Sequence, residues 1–241
     1  MPFSISQEVR DVHKKKVIKI GRSGAKRKKR ILITAGSAGV FLFVSIFFLI
    51  GYLQQRSFET SIAEIQAEAL TVMENKDEIK PRPADYSGMD VETLEPGTLN
   101  VNVQDQISQF GVGTIEIPSI GLKLPVLEGI TQANISIGVG TVKPNQEIGK
   151  GNFALLGHYM TNSGLLLGGL KQVSKGDEIH LTYFDKQATY QVIESKVIHQ
   201  SEGKYMLDDP EEPHYLTLLT CDGSRVGTDY RLMVRGILKD Y

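Results

Sequence analysis

Hydrophobic and polar positions divide the chain into three regions. From Ile31 to Leu53, 23 residues run without one charged side chain, a stretch long enough to cross a bilayer as a helix. Residues 57–78 carry apolar side chains near helical spacing, and Ser61 to Glu64 fit a capping box. From about residue 110 onward, short apolar runs alternate with turn signals, which is typical of an all-β sandwich or barrel.

The third region predicts seven strands and one short helix within a single β-domain at residues 110–241. About 130 residues suffice for one domain with its own core. The short helix is predicted at Thr131–Ile137. The strands are predicted at Gly113–Ile117, Lys123–Leu127, Asn152–Leu156, Glu178–Tyr183, Ala188–Ile193, Tyr215–Thr220 and Arg231–Ile237.

Residues 54–109 are predicted to be a stalk and linker. The helix at 57–78 is broken by the two prolines of residues 80–83, and the residues that follow are polar with few apolar clusters. We expect this segment to act as a plain spacer between the membrane and the β-domain.

Charge is distributed unevenly along the chain, although the formal net charge is only -1. Residues 1–30 hold eleven Lys or Arg against two Asp or Glu, whereas residues 31–241 hold sixteen against twenty-six. The positive-inside rule therefore predicts a cytoplasmic tail at 1–30, an uncleaved single-pass signal anchor at 31–53 and an extracellular acidic remainder. A basic tail beside a membrane span favours anionic lipid over nucleic acid as its partner.

The single cysteine, Cys221, ends an apolar run that begins at Thr217 and is followed at once by an Asp-Gly turn. One cysteine excludes a disulfide scaffold, and an unpaired cysteine outside the cytoplasm is a candidate reactive thiol. The alternative is a small buried hydrophobic residue, which is the usual role of a free cysteine.

Two further residues complete a candidate catalytic set. Of the five histidines, His158 alone closes an apolar strand after a glycine that lets another backbone approach. If the last two predicted strands pair antiparallel, Arg231 lies beside Cys221, whereas Arg235 lies about 13 Å farther along the strand. Arginine stays charged and donates in a fixed fork, so Arg231 suits a carbonyl or oxyanion better than the loop residue Arg225. A structural histidine and a solvated edge arginine remain the alternatives.

The sequence predicts no metal site. No Cys and His set has the spacing of zinc ligands. Acidic residues cluster at 208–212, but a solvated acidic loop explains them without a calcium ion.

Taken in order, these motifs resemble the sortases, membrane-anchored cysteine transpeptidases of Gram-positive bacteria. Residues 151–158 resemble the family's histidine motif, residues 217–221 its TLxTC motif, and Arg231 its arginine. The similarity covers residues 110–238. It is greatest to class A, the housekeeping type, because the chain shows neither a C-terminal membrane span like that of class C nor a clear lid motif.

The resemblance implies a closed β-barrel with short helices and a two-step transpeptidation. Cys221 would attack the Thr–Gly carbonyl of an LPxTG-like sorting signal on a surface protein and form a thioester. His158 would move the protons, and Arg231 would hold the carbonyl. The acceptor would be an amine of a cell-wall precursor such as lipid II.

Neighbours of these motifs are expected to shape the substrate and oxyanion site. They are Thr220, Leu219, Leu156, Gly157 and Asp222. The resemblance also assigns one wall of the substrate groove to the loop at 199–214, including Met206 and Leu207. Residues 143–147 match the calcium-responsive pattern of some class A members poorly, so no cofactor and no calcium requirement are expected.

Two other functions fit the sequence. An extracytoplasmic cysteine peptidase or amidase would use the same thiol and histidine with water as acceptor. Such enzymes usually place the cysteine at a helix N-terminus, which the Asp-Gly turn after Cys221 opposes. A non-enzymatic anchored β-domain would keep Cys221 packed and unreactive.

Overall fold

The computed structural model describes residues 6–76, 82–89, 91–95, 99–208, 214–222 and 228–240, with side chains in the first helix described from Gly39. These ranges contain three α-helices, eight strands and three 3-10 helices. In chain order they are α1 Ser6–Glu74, α2 Val103–Phe110, β1 Gly111–Ile117, η1 Pro118–Ile120, β2 Leu122–Leu127, α3 Gln132–Ile137, β3 Val139–Thr141, β4 Asn152–Leu156, η2 Gly168–Gln172, β5 Glu178–Tyr183, β6 Lys186–His199, η3 Gly203–Met206, β7 Tyr215–Cys221 and β8 Tyr230–Asp240.

The chain separates into two compact units, residues 1–54 and residues 55–241. In the first unit, the large apolar side chains from Val40 to Leu53 are exposed. Among the described residues, α1 is the one helix long and apolar enough to cross a membrane, with a mean hydropathy of 1.4 over its best window. This segment overlaps the span predicted at 31–53.

In the second unit, eight strands close into a barrel in the order β1-β2-β3-β4-β7-β8-β6-β5. All seven predicted strands are present, and the all-β fold class is confirmed. The pairs β2–β3 and β4–β7 are parallel, and the other six are antiparallel. The unpredicted strand, β3, has three residues, which is too few to show a period of two.

Strands β4, β7 and β8 carry apolar side chains on both faces. Successive side chains of a strand point to opposite faces. Leu218 points into the barrel core, whereas Leu219 belongs to a separate cluster on the outer face. We call this the outer cluster; its buried members are Ile198, Leu219 and Met233, and Leu156, Tyr205 and Met206 pack against it.

Residues 54–109 do not form the plain spacer that the sequence predicted. Phe58 and Ile62 of α1 belong to the main core cluster, and Ile62 is fully buried. Farther along α1, Ala69 and Met73 pack with Ile107 of α2. An amphipathic helix is stable only when its apolar stripe is covered. Here the β-domain covers it.

The polar linker after α1 is attached to the barrel as well. The Tyr86 hydroxyl donates to a carboxylate oxygen of buried Glu128 at 2.5 Å. The Ile130 N–H donates to the Asp85 carbonyl at 2.9 Å. The Tyr183 hydroxyl donates to the other oxygen of Glu128. Glu128 therefore joins a linker residue to a barrel residue.

Candidate active site

The parallel pair β4–β7 brings His158 and Cys221 to the same end of the barrel. Its register aligns Leu156 with Leu219, and the Gly157 N–H donates to the Leu219 carbonyl at 3.1 Å. His158 and Cys221 each lie two residues beyond these aligned leucines. Neighbouring parallel strands run in one direction, so the two residues leave the sheet side by side.

The antiparallel pair β7–β8 places Arg231 directly opposite Cys221. Paired residues of neighbouring strands present their side chains on one face. Two residues back along each strand, Leu219 is paired with Met233 of the outer cluster. Cys221 and Arg231 therefore lie on the outer face of the barrel, at the edge of that cluster.

His158 is buried without a partner for one ring nitrogen. Its residue exposure is 8%, and among the described residues no hydrogen-bond partner reaches its buried Nε2. Burial lowers the pKa of His158 to about 4, because the imidazolium loses its hydration. The imidazole is therefore neutral at pH 7. An unsatisfied buried nitrogen costs about 1–3 kcal/mol and often marks a site that a substrate completes.

Cys221 is partly exposed and free. A partly exposed residue at a strand end differs from a cysteine packed in a core, which is inert. Cys221 lies at the same end of the barrel as His158.

Three hydrogen bonds fix the Arg231 guanidinium. Nη1 donates to the carbonyls of Thr228 and Tyr230, and Nη2 donates to Oε1 of Gln200 at 3.1 Å. Three of its five N–H groups are engaged in this way. Gln200 lies in the loop after β6 and carries no motif, so sequence reasoning missed it.

Arg235, the weaker candidate, lies four residues away from Arg231 and pairs with Thr217 instead of Cys221. Its guanidinium lies 5.2 Å from the ring centroid of Tyr205 and 4.7 Å from that of Tyr215. Arg225 lies outside the described residues.

The neighbouring residues that were expected to shape the site lie on different faces of the strands. Thr220 is 1% exposed on the face opposite Cys221, and its hydroxyl has no partner among the residues described. The Thr220 side chain therefore does not share a face with Cys221, and only the Thr220 backbone lies next to it. Leu219 and Leu156 lie in the outer cluster.

Gly157 is small for a different reason from the one predicted. A Cβ added there would lie 3.0 Å from Leu167 and 3.1 Å from Val139 side-chain atoms. Packed side chains approach this glycine, whereas the sequence predicted a backbone.

Asp222 binds a residue that the sequence did not single out. Its carboxylate accepts from the Lys171 ammonium at 2.7 Å, and its N–H donates to the Tyr230 carbonyl at 3.0 Å. Hydrogen bonding to Asp222 raises the pKa of Lys171. The same ammonium lies 5.3 Å from the ring centroid of Tyr159, next to His158. Asp222 is thus tied to η2, and its carboxylate does not point freely toward a substrate.

The loop after β6 lies over the outer cluster. Tyr205 and Met206 pack against the cluster, whereas Leu207 is 65% exposed. Residues 209–213, within the predicted groove wall, lie outside the described residues. Met206 is therefore placed beside the strand that ends in Cys221.

Among the residues that the structure describes, no three His, Cys, Asp or Glu side chains are grouped to hold a metal ion. Asp208 is instead bound by the Lys143 ammonium and by the Asn152 N–H, the latter at 2.8 Å. Burial raises the pKa of Asp208, but these two donors outweigh it and lower the pKa below its ordinary value.

Comparison with known proteins identifies the family. A model of the sortase domain matches residues 115–239. Sortase A of Listeria monocytogenes is 30% identical over 198 residues, which cover 81% of this chain and 84% of that protein. Sortase A of Bacillus anthracis is 38% identical over 110 residues, 46% of this chain and about half, 51%, of that protein.

Solved structures agree with this result. The crystal structure of Listeria monocytogenes sortase A matches with a TM-score of 0.51 and 34% identity, covering 55% of this chain and 89% of that chain. Sortase C of Streptococcus pneumoniae matches with a TM-score of 0.52 at 19% identity, over 77% of this chain and 96% of that chain, which shows the fold alone. The chain belongs to the sortase family and is a sortase-type cysteine transpeptidase.

Proposed function

We propose that this protein is a membrane-anchored class A sortase. It cleaves an LPxTG-like sorting signal between Thr and Gly and joins the surface protein to an amine of lipid II or peptidoglycan. The observation that carries the proposal is His158 beside the end of β7, where Cys221 is paired with Arg231. The His158 Nε2 has no hydrogen-bond partner within the part of the chain that the structure describes.

In the first step, the Cys221 sulfur attacks the threonine carbonyl carbon of the signal. The thiol proton passes to Nε2 of neutral His158, and from there to the leaving glycine nitrogen as the C–N bond breaks. Arg231 donates to the carbonyl oxygen while it carries negative charge. The product is a thioester on Cys221 and a free glycine-terminated peptide.

In the second step, the acceptor amine attacks the thioester carbonyl. His158 takes a proton from the amine nitrogen and returns it to the Cys221 sulfur as the C–S bond breaks. A new amide forms, and the thiol and neutral imidazole are restored. The lowered pKa keeps His158 in the neutral form, which has a free lone pair for a proton.

The sorting signal is proposed to bind along the outer cluster. Tyr205 and Met206 from the loop and Leu219 from β7 supply apolar surface beside Cys221. Such a surface suits the leucine and proline of the signal. The exposed Leu207 extends this wall.

We also propose that the basic residues 1–30 remain in the cytoplasm and the barrel lies outside the cell. The apolar part of α1 supports an anchor, and the charge on its N-terminal side supports this orientation. Anchoring holds the enzyme at the surface where a lipid-linked acceptor lies.

Turnover is proposed to need no metal ion. The Lys143 ammonium supplies a positive charge to Asp208, which joins the β3–β4 loop to the loop after β6. We expect EDTA to leave the ligation rate unchanged within twofold. A drop of about tenfold that calcium restores would contradict this proposal.

The function is tested with the full-length chain in detergent, an LPxTG peptide and a glycine-based amine. Mass spectrometry follows a ligated product and a thioester adduct in the wild type and in Cys221→Ala. We expect both species in the wild type and neither in the variant. Cleavage without ligation would indicate a peptidase or amidase, and absence of both species would favour a non-enzymatic domain.

A further inference from the structure

A buried polar network lies beneath the loop between β6 and β7. Asn152 on β4 is 3% exposed, and Thr217 on β7 is fully buried. The Thr217 hydroxyl donates to Oδ1 of Asn152 at 2.7 Å, and Nε of Arg235 on β8 donates to the Thr217 hydroxyl oxygen at 3.3 Å. Three neighbouring strands thus contribute one side chain each.

The two ends of this network converge on one carbonyl of the loop. Nδ2 of Asn152 donates to the Tyr205 carbonyl at 2.7 Å, and Nη2 of Arg235 donates to the same oxygen at 3.1 Å. Nδ2 of Asn152 also reaches the Leu207 carbonyl at 3.4 Å, and its backbone N–H holds the Asp208 carboxylate. The barrel therefore holds the loop at three nearby positions.

Arg235 also holds the Tyr205 side chain. Its guanidinium lies over the Tyr205 ring, while the Lys196 ammonium lies 4.5 Å from the same ring centroid. A planar guanidinium presents its N–H groups in a fixed fork, so Nε and Nη2 of Arg235 can donate to the Thr217 hydroxyl and the Tyr205 carbonyl together, a geometry that the compact ammonium of lysine does not reproduce. Arg235 is therefore a poor position for lysine.

Fixing Tyr205 fixes its neighbour Met206, and both pack on the outer cluster that contains Leu219. A loop ordered during folding costs no ordering entropy when a ligand binds. Hydrogen bonds from buried Asn152 and Thr217 favour one backbone arrangement, because another arrangement would leave the polar atoms of these two side chains unpaired.

We propose that Asn152, Thr217 and Arg235 are positioning residues that preorganise the wall of the sorting-signal groove. None of them reaches the reacting atoms in this scheme. They act through Tyr205 and Met206, and they set the affinity for the sorting signal. The inference rests on the proposed function, because it takes this loop as the wall of the groove.

The test compares the full-length wild type with Asn152→Ala, Arg235→Lys and the control Asn134→Ala. Asn134 is 1% exposed, and its Nδ2 also donates to two carbonyls, those of Glu128 and Gly129. The control therefore removes an equally buried amide at a place away from the groove. The readouts are KM and kcat for an LPxTG peptide and amide hydrogen exchange in residues 203–207.

Asn152→Ala and Arg235→Lys should raise KM about tenfold and leave kcat within about twofold. Hydrogen exchange in residues 203–207 should quicken in both variants. The control should keep the wild-type KM and loop exchange, even where its stability falls. Arg235→Lys keeps the charge at a partly exposed site, so it serves if Asn152→Ala does not fold.

Unchanged KM in both variants would overturn the inference, as would an equal rise in KM in Asn134→Ala. These results differ from failure of the proposed function, in which the wild type itself does not ligate the peptide. Loop exchange that stays at the wild-type rate in both variants would also overturn the positioning role.

Discussion

At the scale of single residues, His158 has lost its hydration without gaining a hydrogen bond at Nε2 from any residue described. Neutral imidazole is the form that this environment permits at pH 7. With a pKa of about 4, on the order of one His158 in a thousand is protonated at pH 7. The lowered pKa has a consequence for stability as well as for proton transfer.

We predict that His158 makes the fold sensitive to acid. Between pH 6.5 and pH 4, the unfolded chain binds a proton at this histidine, whereas the folded chain does not, because the pKa is near 6.5 in the unfolded state and about 4 in the folded state. The free energy of unfolding therefore falls as the pH drops below about 6.5 and levels off below about 4. The loss at pH 4 amounts to about 3 kcal/mol. Denaturant unfolding at several pH values should show a smaller loss in His158→Gln.

His214→Gln, a change at an exposed histidine, is the matched control and should keep the wild-type acid sensitivity. Equal pH profiles for the wild type and His158→Gln would contradict the prediction.

Arg231 provides a second residue-scale prediction. Loss of one donor to a developing oxyanion typically lowers kcat by about 10²–10³-fold. We expect Arg231→Ala to show a loss of this size in ligation assays. Added guanidinium ion should restore part of the rate, because it supplies the same planar donor without the side chain.

Cys221→Ala supplies the control, since guanidinium ion cannot replace a nucleophile. Full activity of Arg231→Ala without guanidinium would show that this arginine does not hold the carbonyl.

Sequence reasoning placed Cys221, His158 and Arg231 because each occupies a strand end that local pattern reveals. The antiparallel pairing inferred from two strands and a turn is the register that the barrel contains. Lys171, Gln200 and Asn152 could not be found in this way. Their partners lie 51, 31 and 53 residues away in sequence, and only the closed barrel brings them together.

At the scale of elements, the hydrogen bond from Tyr86 to Glu128 attaches the linker after α1 to the barrel. The Tyr86 hydroxyl makes a partly buried hydrogen bond to the Glu128 carboxylate, and loss of such a bond costs about 1–3 kcal/mol. We predict that Tyr86→Phe both destabilises the fold and exposes residues 82–95 to protease. Limited proteolysis followed by mass spectrometry measures the second effect.

Tyr183→Phe is the matched control, because it removes the other hydroxyl bound to Glu128 while leaving the linker attached. This variant should lose stability without faster cleavage in the linker. Equal cleavage in both variants would show that Tyr86 does not latch the linker.

The sequence pattern predicted which segments form helices, but not which other elements those helices pack against. The apolar spacing at 57–78 predicted a helix, and α1 continues through that segment to Glu74. The apolar stripe of this helix is covered by the β-domain, which a plain spacer would not require. The short helix α3 begins one residue after the predicted start, because Thr131 caps it by accepting from the Asn134 N–H.

At the scale of the whole molecule, the compact unit begins at Gln55 and not at the first strand. A soluble fragment starting at Val103 lacks Phe58 and Ile62, both buried in the core. Burying two such side chains contributes on the order of 5 kcal/mol. We predict that the fragment 55–241 unfolds at a clearly higher denaturant concentration than the fragment 103–241.

Replacing Ile62 by Ala in the longer fragment should reproduce part of this loss, about 2–5 kcal/mol. Ile65→Ala, at a partly exposed position of the same helix, should cost less. Equal stability of the two fragments would show that α1 contributes no packing energy to the barrel.

The parallel neighbours β4 and β7 are joined across more than fifty residues of intervening chain, and β8 must pair with both β6 and β7. Ribosomes deliver the chain from its N-terminus, so the strand that carries His158 appears well before those that carry Cys221 and Arg231. The three residues of the proposed site therefore come together only when the last strand arrives. A chain that is still being synthesised therefore carries Cys221 without Arg231 opposite it.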